Sequence, residues 1–107
     1  MATQIRITYN KKDYTLEYTR TAISSMERSG FVGAEAETKP ATMIPLLFSG
    51  AFQVHHPSMR QSLIDEIYDS MGNKDGLVTA LSEMYEETME TLVSDGEKNT
   101  KWEKISL

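Results

Sequence analysis

The sequence predicts an α+β domain in which an N-terminal β-hairpin packs on three to four α-helices. Two short segments near the N-terminus alternate apolar and polar residues on either side of a polar turn. The segments that follow place apolar residues at helical spacing and are separated by glycine, proline or polar turns. Because 107 residues support one modest core, we predict a single domain over 1–94 and a polar tail over 95–107.

The predicted hairpin starts at Gln4 and ends at Tyr18. Apolar and polar residues alternate up to Tyr9 and again from Tyr14 onwards, and residues 10–13 form a polar turn of four residues between them. An isolated hairpin is unstable in water, so we expect its apolar face to lie on the helices.

The first helix has a start and a stop signal. Thr19 or Thr21 can cap a helix that runs to Ser29, and Gly30 then provides a left-handed stop. Residues 33–39 are small and polar and predict a surface loop.

The second helix is apolar around most of its circumference. It begins at Pro40, a residue favoured in the first turn of a helix, and Pro45 is expected within about the first turn, where its missing N–H is tolerated. Such a helix is either central in the core or half-covered by a partner. The residues that we name as candidates for binding a partner are Met43, Leu47, Phe48 and Phe52.

Two further helices complete the prediction. Residues 55–58 end the second helix, and a third helix follows over 59–71. A turn over 71–76 leads to a fourth helix, whose apolar residues run from Leu77 to Leu92.

Composition and charge restrict the class of function. The chain has 11 basic and 16 acidic residues, a formal net charge of −5, which disfavours nucleic acid as a partner. The absence of cysteine excludes disulfides and thiolate chemistry and fits a reducing compartment. The N-terminus lacks the apolar core of a signal peptide, and no apolar stretch is long enough to span a bilayer. We therefore expect a cytosolic protein without membrane contact.

The sequence predicts no enzyme, no metal site and no cofactor. His55 and His56 are the two histidines, and on a helix adjacent side chains diverge by about 100°. Asp65 and Glu66 could supply carboxylates to the same site only if the fold places them next to the histidines. We expect a helix end with one histidine packed and one solvated, with transition-metal binding as the alternative.

Two surface features indicate protein binding. Six acidic residues fall within 83–97 without a basic residue between them, and they form either a solvated helix face or an acidic surface for a basic partner or for the basic N-terminal part of a second copy. Of these, Glu86 and Glu90 are our candidate contact residues. Trp102, the single tryptophan, is expected to dock either on the domain or on a partner. The seven methionines are consistent either with a buried core or with a surface that accepts varied apolar partners.

Several short motifs follow one another in a distinctive order along the chain. They are Ile7–Tyr9, Asp13–Arg20, Met26–Phe31, Lys39–Pro40, Leu46–Phe52, His55–His56, Ile64–Tyr68 and Leu81–Tyr85. Together they resemble a family of small proteins from tailed phages and prophages of Gram-positive bacteria, described at most as tail assembly chaperone-like or as a domain of unknown function. The similarity extends over residues 5 to 93 and the tryptophan of the tail.

The resemblance implies a chaperone that coats the tape measure protein and helps to recruit tail tube subunits. Such a protein self-associates, acts in the cytoplasm of the infected bacterial host and is not part of the mature virion, and the family contributes no catalytic residue. Two other functions remain open. The chain could be a structural minor tail or head–tail connector protein of the virion, or a small phage regulatory protein that binds a host factor.

Overall fold

The computed structural model describes residues 3–94, 96 and 100–106. Within them, two strands precede four α-helices, and this arrangement confirms the predicted α+β fold. None of these helices combines the length and the hydropathy needed to cross a bilayer. The elements are β1 (Ile5–Tyr9), β2 (Lys12–Leu16), α1 (Arg20–Arg28), α2 (Pro40–Phe52), α3 (Gln61–Ser70) and α4 (Lys74–Glu90).

The hairpin has a tighter turn than the sequence predicted. β1 and β2 pair antiparallel with Tyr9 opposite Lys12, so the turn has two residues, Asn10 and Lys11, instead of four. Both have positive φ, 51° and 65°, as in a type I′ turn, whose twist matches that of the strands. The predicted face is nevertheless correct, because Ile7 lies opposite Tyr14 and both are buried.

Lys11→Gly should raise the free energy of unfolding by about 0.5–1 kcal/mol. A left-handed conformation costs a residue with a Cβ roughly 1–2 kcal/mol, and the flexibility of glycine in the unfolded chain offsets part of the gain. Urea unfolding of both proteins measures the difference. Lys12→Gly is the matched control: it lies within β2 and should destabilise the protein, so equal effects at both positions would contradict the turn geometry.

Helix α1 has the predicted ends. The hydroxyl of Thr19 accepts a hydrogen bond from the amide of Ala22 at 3.1 Å, which satisfies one free donor of the first turn. At the other end Gly30 has φ of 105°, and the amide of Phe31 donates to the carbonyl of Met26 at 3.0 Å. This is the glycine stop that the sequence predicts. Part of the predicted loop that follows forms a 3₁₀ turn, Gly33–Glu35.

Helix α2 is the centre of the core. It contacts β2 and each of the other three helices. Gly50 permits the close approach of α1, because a Cβ at this position would collide with the side chain of Met26. Pro45 lies deeper in the helix than predicted, at its sixth position, and therefore cannot donate to the carbonyl of Ala41. The largest fully buried side chains of the domain are Phe48, Phe52, Leu16, Ile67, Leu81 and Met84.

The last two helices begin at residues other than those predicted. α3 starts at Gln61, two residues later than expected, and Tyr9 of the hairpin donates a hydrogen bond to Glu66 on this helix at 2.6 Å. α4 starts at Lys74, earlier than expected, because the side chain of Asn73 accepts from the amide of Gly76 and caps the helix.

Candidate functional site

The four apolar residues that we named as binding candidates lie inside the domain. At most 4% of each side chain is exposed. The all-round apolar character of this helix therefore comes mainly from its central position. The residues are Met43, Leu47, Phe48 and Phe52.

An open apolar groove lies between α2 and α3. Its volume is about 700 Å³, within the about 300–1,000 Å³ of clefts that bind ligands. Pro45, Leu46 and the almost fully buried Phe48 line it from α2, and Tyr68 lines it from α3. Pro45 is exposed, and Leu46 and Tyr68 are half-buried, so side chains of a partner can reach these apolar surfaces.

The aromatic side of the groove is firmly packed. The rings of Tyr68 and Phe48 meet edge to face with centroids 5.2 Å apart. On its other side, the ammonium group of Lys74 lies 5.6 Å from the centre of the Tyr68 ring and donates to the carbonyl of Met71 at 2.8 Å. These contacts hold Tyr68 in place and leave part of it facing the groove.

A hydrogen-bonded polar wall borders the apolar surface. The amide nitrogen of Gln61 donates to the hydroxyl of Ser49 and to a carboxylate oxygen of Asp65, each at 2.9 Å. The hydroxyl of Ser49 donates in turn to the carbonyl of Pro45 at 2.7 Å. Asp65 and Asp69 add negative charge to the same groove. The site thus combines an apolar surface with an acidic rim.

The acidic run of the sequence forms an exposed face of α4. Glu83, Glu86, Glu87 and Glu90 line a shallow concavity beside Val78, and all four carboxylates are exposed. Glu87 accepts hydrogen bonds from the hydroxyl of Thr3 at 2.7 and 2.9 Å. Two other acidic residues of the run, Asp95 and Glu97, lie outside the described residues.

Trp102 lies apart from both surfaces. Its side chain is 88% exposed, and the described tail residues around it, 100–106, have neither helix nor strand. Of the two alternatives for this tryptophan, docking on its own domain is therefore not observed.

The two histidines connect the end of α2 to the hairpin. Nε2 of His56 accepts a hydrogen bond from the amide of Thr15 at 3.1 Å, and the ring lies edge to face with Tyr14. Nε2 of His55 lies 2.7 Å from a carboxylate oxygen of Glu17. Hydrogen bonds from Gln4 and His55 lower the pKa of Glu17. Within the described parts of the chain, no three histidine, aspartate or glutamate side chains cluster as metal ligands.

The pKa of His56 makes the stability of the fold dependent on pH. Burial lowers this pKa, and the charges of His55 and Lys12 lower it further. The unfolded chain then binds more protons than the folded one as pH falls through the ordinary histidine pKa of about 6.5, so stability decreases in that direction. Protonation of Nε2 would also remove the acceptor for Thr15.

We expect the free energy of unfolding to be lower at pH 5.5 than at pH 7.5. His56→Gln should flatten this dependence, because its side-chain oxygen can still accept from Thr15 but does not titrate. Urea unfolding across this pH range measures both proteins. An unchanged pH dependence in His56→Gln would show that another group is responsible.

The sequence prediction missed the groove residues Pro45, Leu46, Tyr68, Asp65 and Asp69. Part of the groove could have been recognised from the sequence. Pro45 and Leu46 are apolar although they lie between the buried positions of α2, where a helix with a single buried face would have polar residues. Which residues of α3 face them depends on how the two helices cross, and apolar spacing does not determine this.

The chain matches one family model over residues 1–106, that of a domain of unknown function, DUF5055. No curated protein and no solved structure matches it.

Proposed function

The chain belongs to the DUF5055 family, whose function is unknown, and we propose that it is a non-enzymatic tail assembly chaperone of a bacteriophage. In this role it binds the tape measure protein, helps to recruit tail tube subunits and acts in the cytoplasm of the infected host without entering the mature virion. The proposal rests on the family resemblance of the sequence motifs and on a surface suited to an apolar client.

The open groove between α2 and α3 is the observation that supports this function best. An amphipathic helix of the tape measure protein can place its apolar side chains against Pro45, Leu46 and Tyr68. This is the helix-in-groove mode, in which the client presents residues spaced one turn apart. The carboxylates of Asp65 and Asp69 would select a client with basic residues beside its apolar stripe.

The acidic face of α4 provides a second contact surface. Glu86 and Glu90 are exposed and one helical turn apart, and they belong to a face of α4 different from the one that packs in the core through Leu81 and Met84. We assign to this face a basic partner, such as a tail tube subunit. Association through it should weaken as salt rises, because exposed charges are screened.

Co-expression with the tape measure protein tests the proposed function. We expect the chain to raise the soluble yield of the tape measure protein and to elute with it in gel filtration. An unchanged yield together with no complex would reject the chaperone role.

Mass spectrometry of purified phage particles separates this function from its nearest rival. A chaperone should be absent from the particle, whereas a minor tail or head–tail connector protein should be present at a fixed copy number. Capture of a single host protein from a lysate, with no effect on the tape measure protein, would instead indicate a regulatory protein.

A further inference from the structure

We propose that the groove between α2 and α3 also receives the tail of a second copy of this chain, with Trp102 as the apolar anchor. The tail carries two large apolar side chains in water: Trp102 is 88% exposed and Ile105 is 71% exposed. A tryptophan buries 150–250 Å² when it docks, about the largest gain available to one side chain. Exposed aromatic anchors of this kind are typical of contact surfaces.

The groove is complementary to this segment in its apolar character. Pro45 and Leu46 present aliphatic surface, and the half-buried Tyr68 presents part of its aromatic ring. Its volume of about 700 Å³ is sufficient for an indole ring together with a neighbouring aliphatic side chain. The hydroxyl of Ser49 and the side-chain amide of Gln61 form a polar border beside the apolar part.

The charges of the two surfaces are opposite. Lys101 and Lys104 lie on either side of Trp102 and outweigh the charge of Glu103, so that residues 101–104 are net positive, whereas Asp65 and Asp69 lie at the groove. Neither aspartate forms an ion pair within the described part of the chain, where the salt bridges are Lys39–Glu35 and His55–Glu17. Opposite charges around an apolar anchor orient the two surfaces and make the contact specific.

Lys74 does not cancel the negative charge of the groove. Its ammonium group donates to the backbone carbonyls of Met71 and Asp69, at 2.8 and 3.4 Å, and not to the carboxylate of Asp65 or Asp69. The two aspartates thus remain available to basic residues of a partner.

A second copy suits the groove better than the chain's own tail. The last turn of α4, which leads to the tail, lies beside the start of α1: Thr88 and Thr91 share a depression with Thr19. The groove lies at the opposite end of α1, where Ser29 lines it. The chain's own tail leaves the groove open, because Trp102 is 88% exposed and does not line it.

Two copies can exchange tails reciprocally. Each copy has one groove and one tail, so a two-fold arrangement fills both grooves and closes the assembly as a dimer. This inference does not depend on the identity of the client, since it concerns the purified chain alone. A client helix would compete with the tail for the same groove.

The single tryptophan reports directly on the contact. We expect the fluorescence of Trp102 to shift to shorter wavelength as the protein concentration rises from about 1 μM to about 1 mM, the range in which a weak association saturates. Sedimentation should show conversion of monomer to dimer over the same range. A shift that does not depend on concentration would mean that the chain's own tail docks, and no shift would mean that the tail makes no contact. Either result overturns the inference.

Charge reversal tests the proposed pairing. D65K/D69K and K101E/K104E should each weaken dimer formation at least tenfold, and the variant with all four substitutions should restore it. E27K/E37K reverses two exposed carboxylates that do not line the groove and should leave the dimer intact. Trp102→Ala should abolish the dimer; a dimer that persists in this variant would overturn the inference, because it must use another surface.

Discussion

Replacing Phe52 with alanine should lower the free energy of unfolding by about 3–5 kcal/mol. The side chain is 1% exposed and packs edge to face against Phe48 and Tyr14, with ring centroids 5.0 and 6.1 Å apart. Truncation would remove both contacts and leave a cavity where α2 meets the hairpin. Small domains have a total stability of about 5–15 kcal/mol, so this one substitution should remove a large fraction of it. Urea unfolding followed by circular dichroism measures the loss.

Leu92→Ala is the matched control for Phe52→Ala. It also truncates an apolar side chain, but Leu92 is 55% exposed, and its loss should change stability by no more than about 0.5 kcal/mol. If the two variants were equally stable, α2 would not be the centre of the core.

Features that depend on residues close together in the chain could be predicted from the sequence alone. The alternation around Tyr9 and Tyr14 predicts the hairpin face, and Thr19 with Gly30 predicts the ends of α1, because these signals act between residues close in the chain. The two-residue turn was missed because Lys11 has no intrinsic preference for positive φ, so its conformation follows from strand pairing. Local signals predict elements better than they predict contacts between elements.

The candidate site was harder to predict for the same reason. On α2, apolar residues that fill the core and apolar residues that line a groove look alike in sequence, and only packing separates Phe52 from Leu46. The polar wall formed by Ser49, Gln61 and Asp65 joins two helices, and no sequence spacing indicates that these three meet. The acidic face of α4 was predictable because it lies on one helix.

Leu46→Glu should weaken binding of the tape measure protein by about 30-fold or more while leaving the fold intact. Leu46 is half-buried and lines the groove. A carboxylate at this position would face the apolar side chains of the client and would be repelled by the neighbouring aspartates. Loss of a central contact costs about 2 kcal/mol of binding free energy, which corresponds to this factor. Calorimetric titration with a tape measure segment measures it, and urea unfolding shows that the fold persists.

Leu92→Glu provides the control, since it introduces the same charge at an exposed leucine outside the groove and should change the dissociation constant less than about twofold. Phe52→Ala would be a misleading variant in this experiment, because weaker binding could follow from unfolding alone. If Leu46→Glu binds as tightly as the unmodified chain while Glu86→Lys loses binding, the client must contact α4 instead. The groove would then bind only the tail of a second copy, and Leu46→Glu should still weaken the docking of that tail.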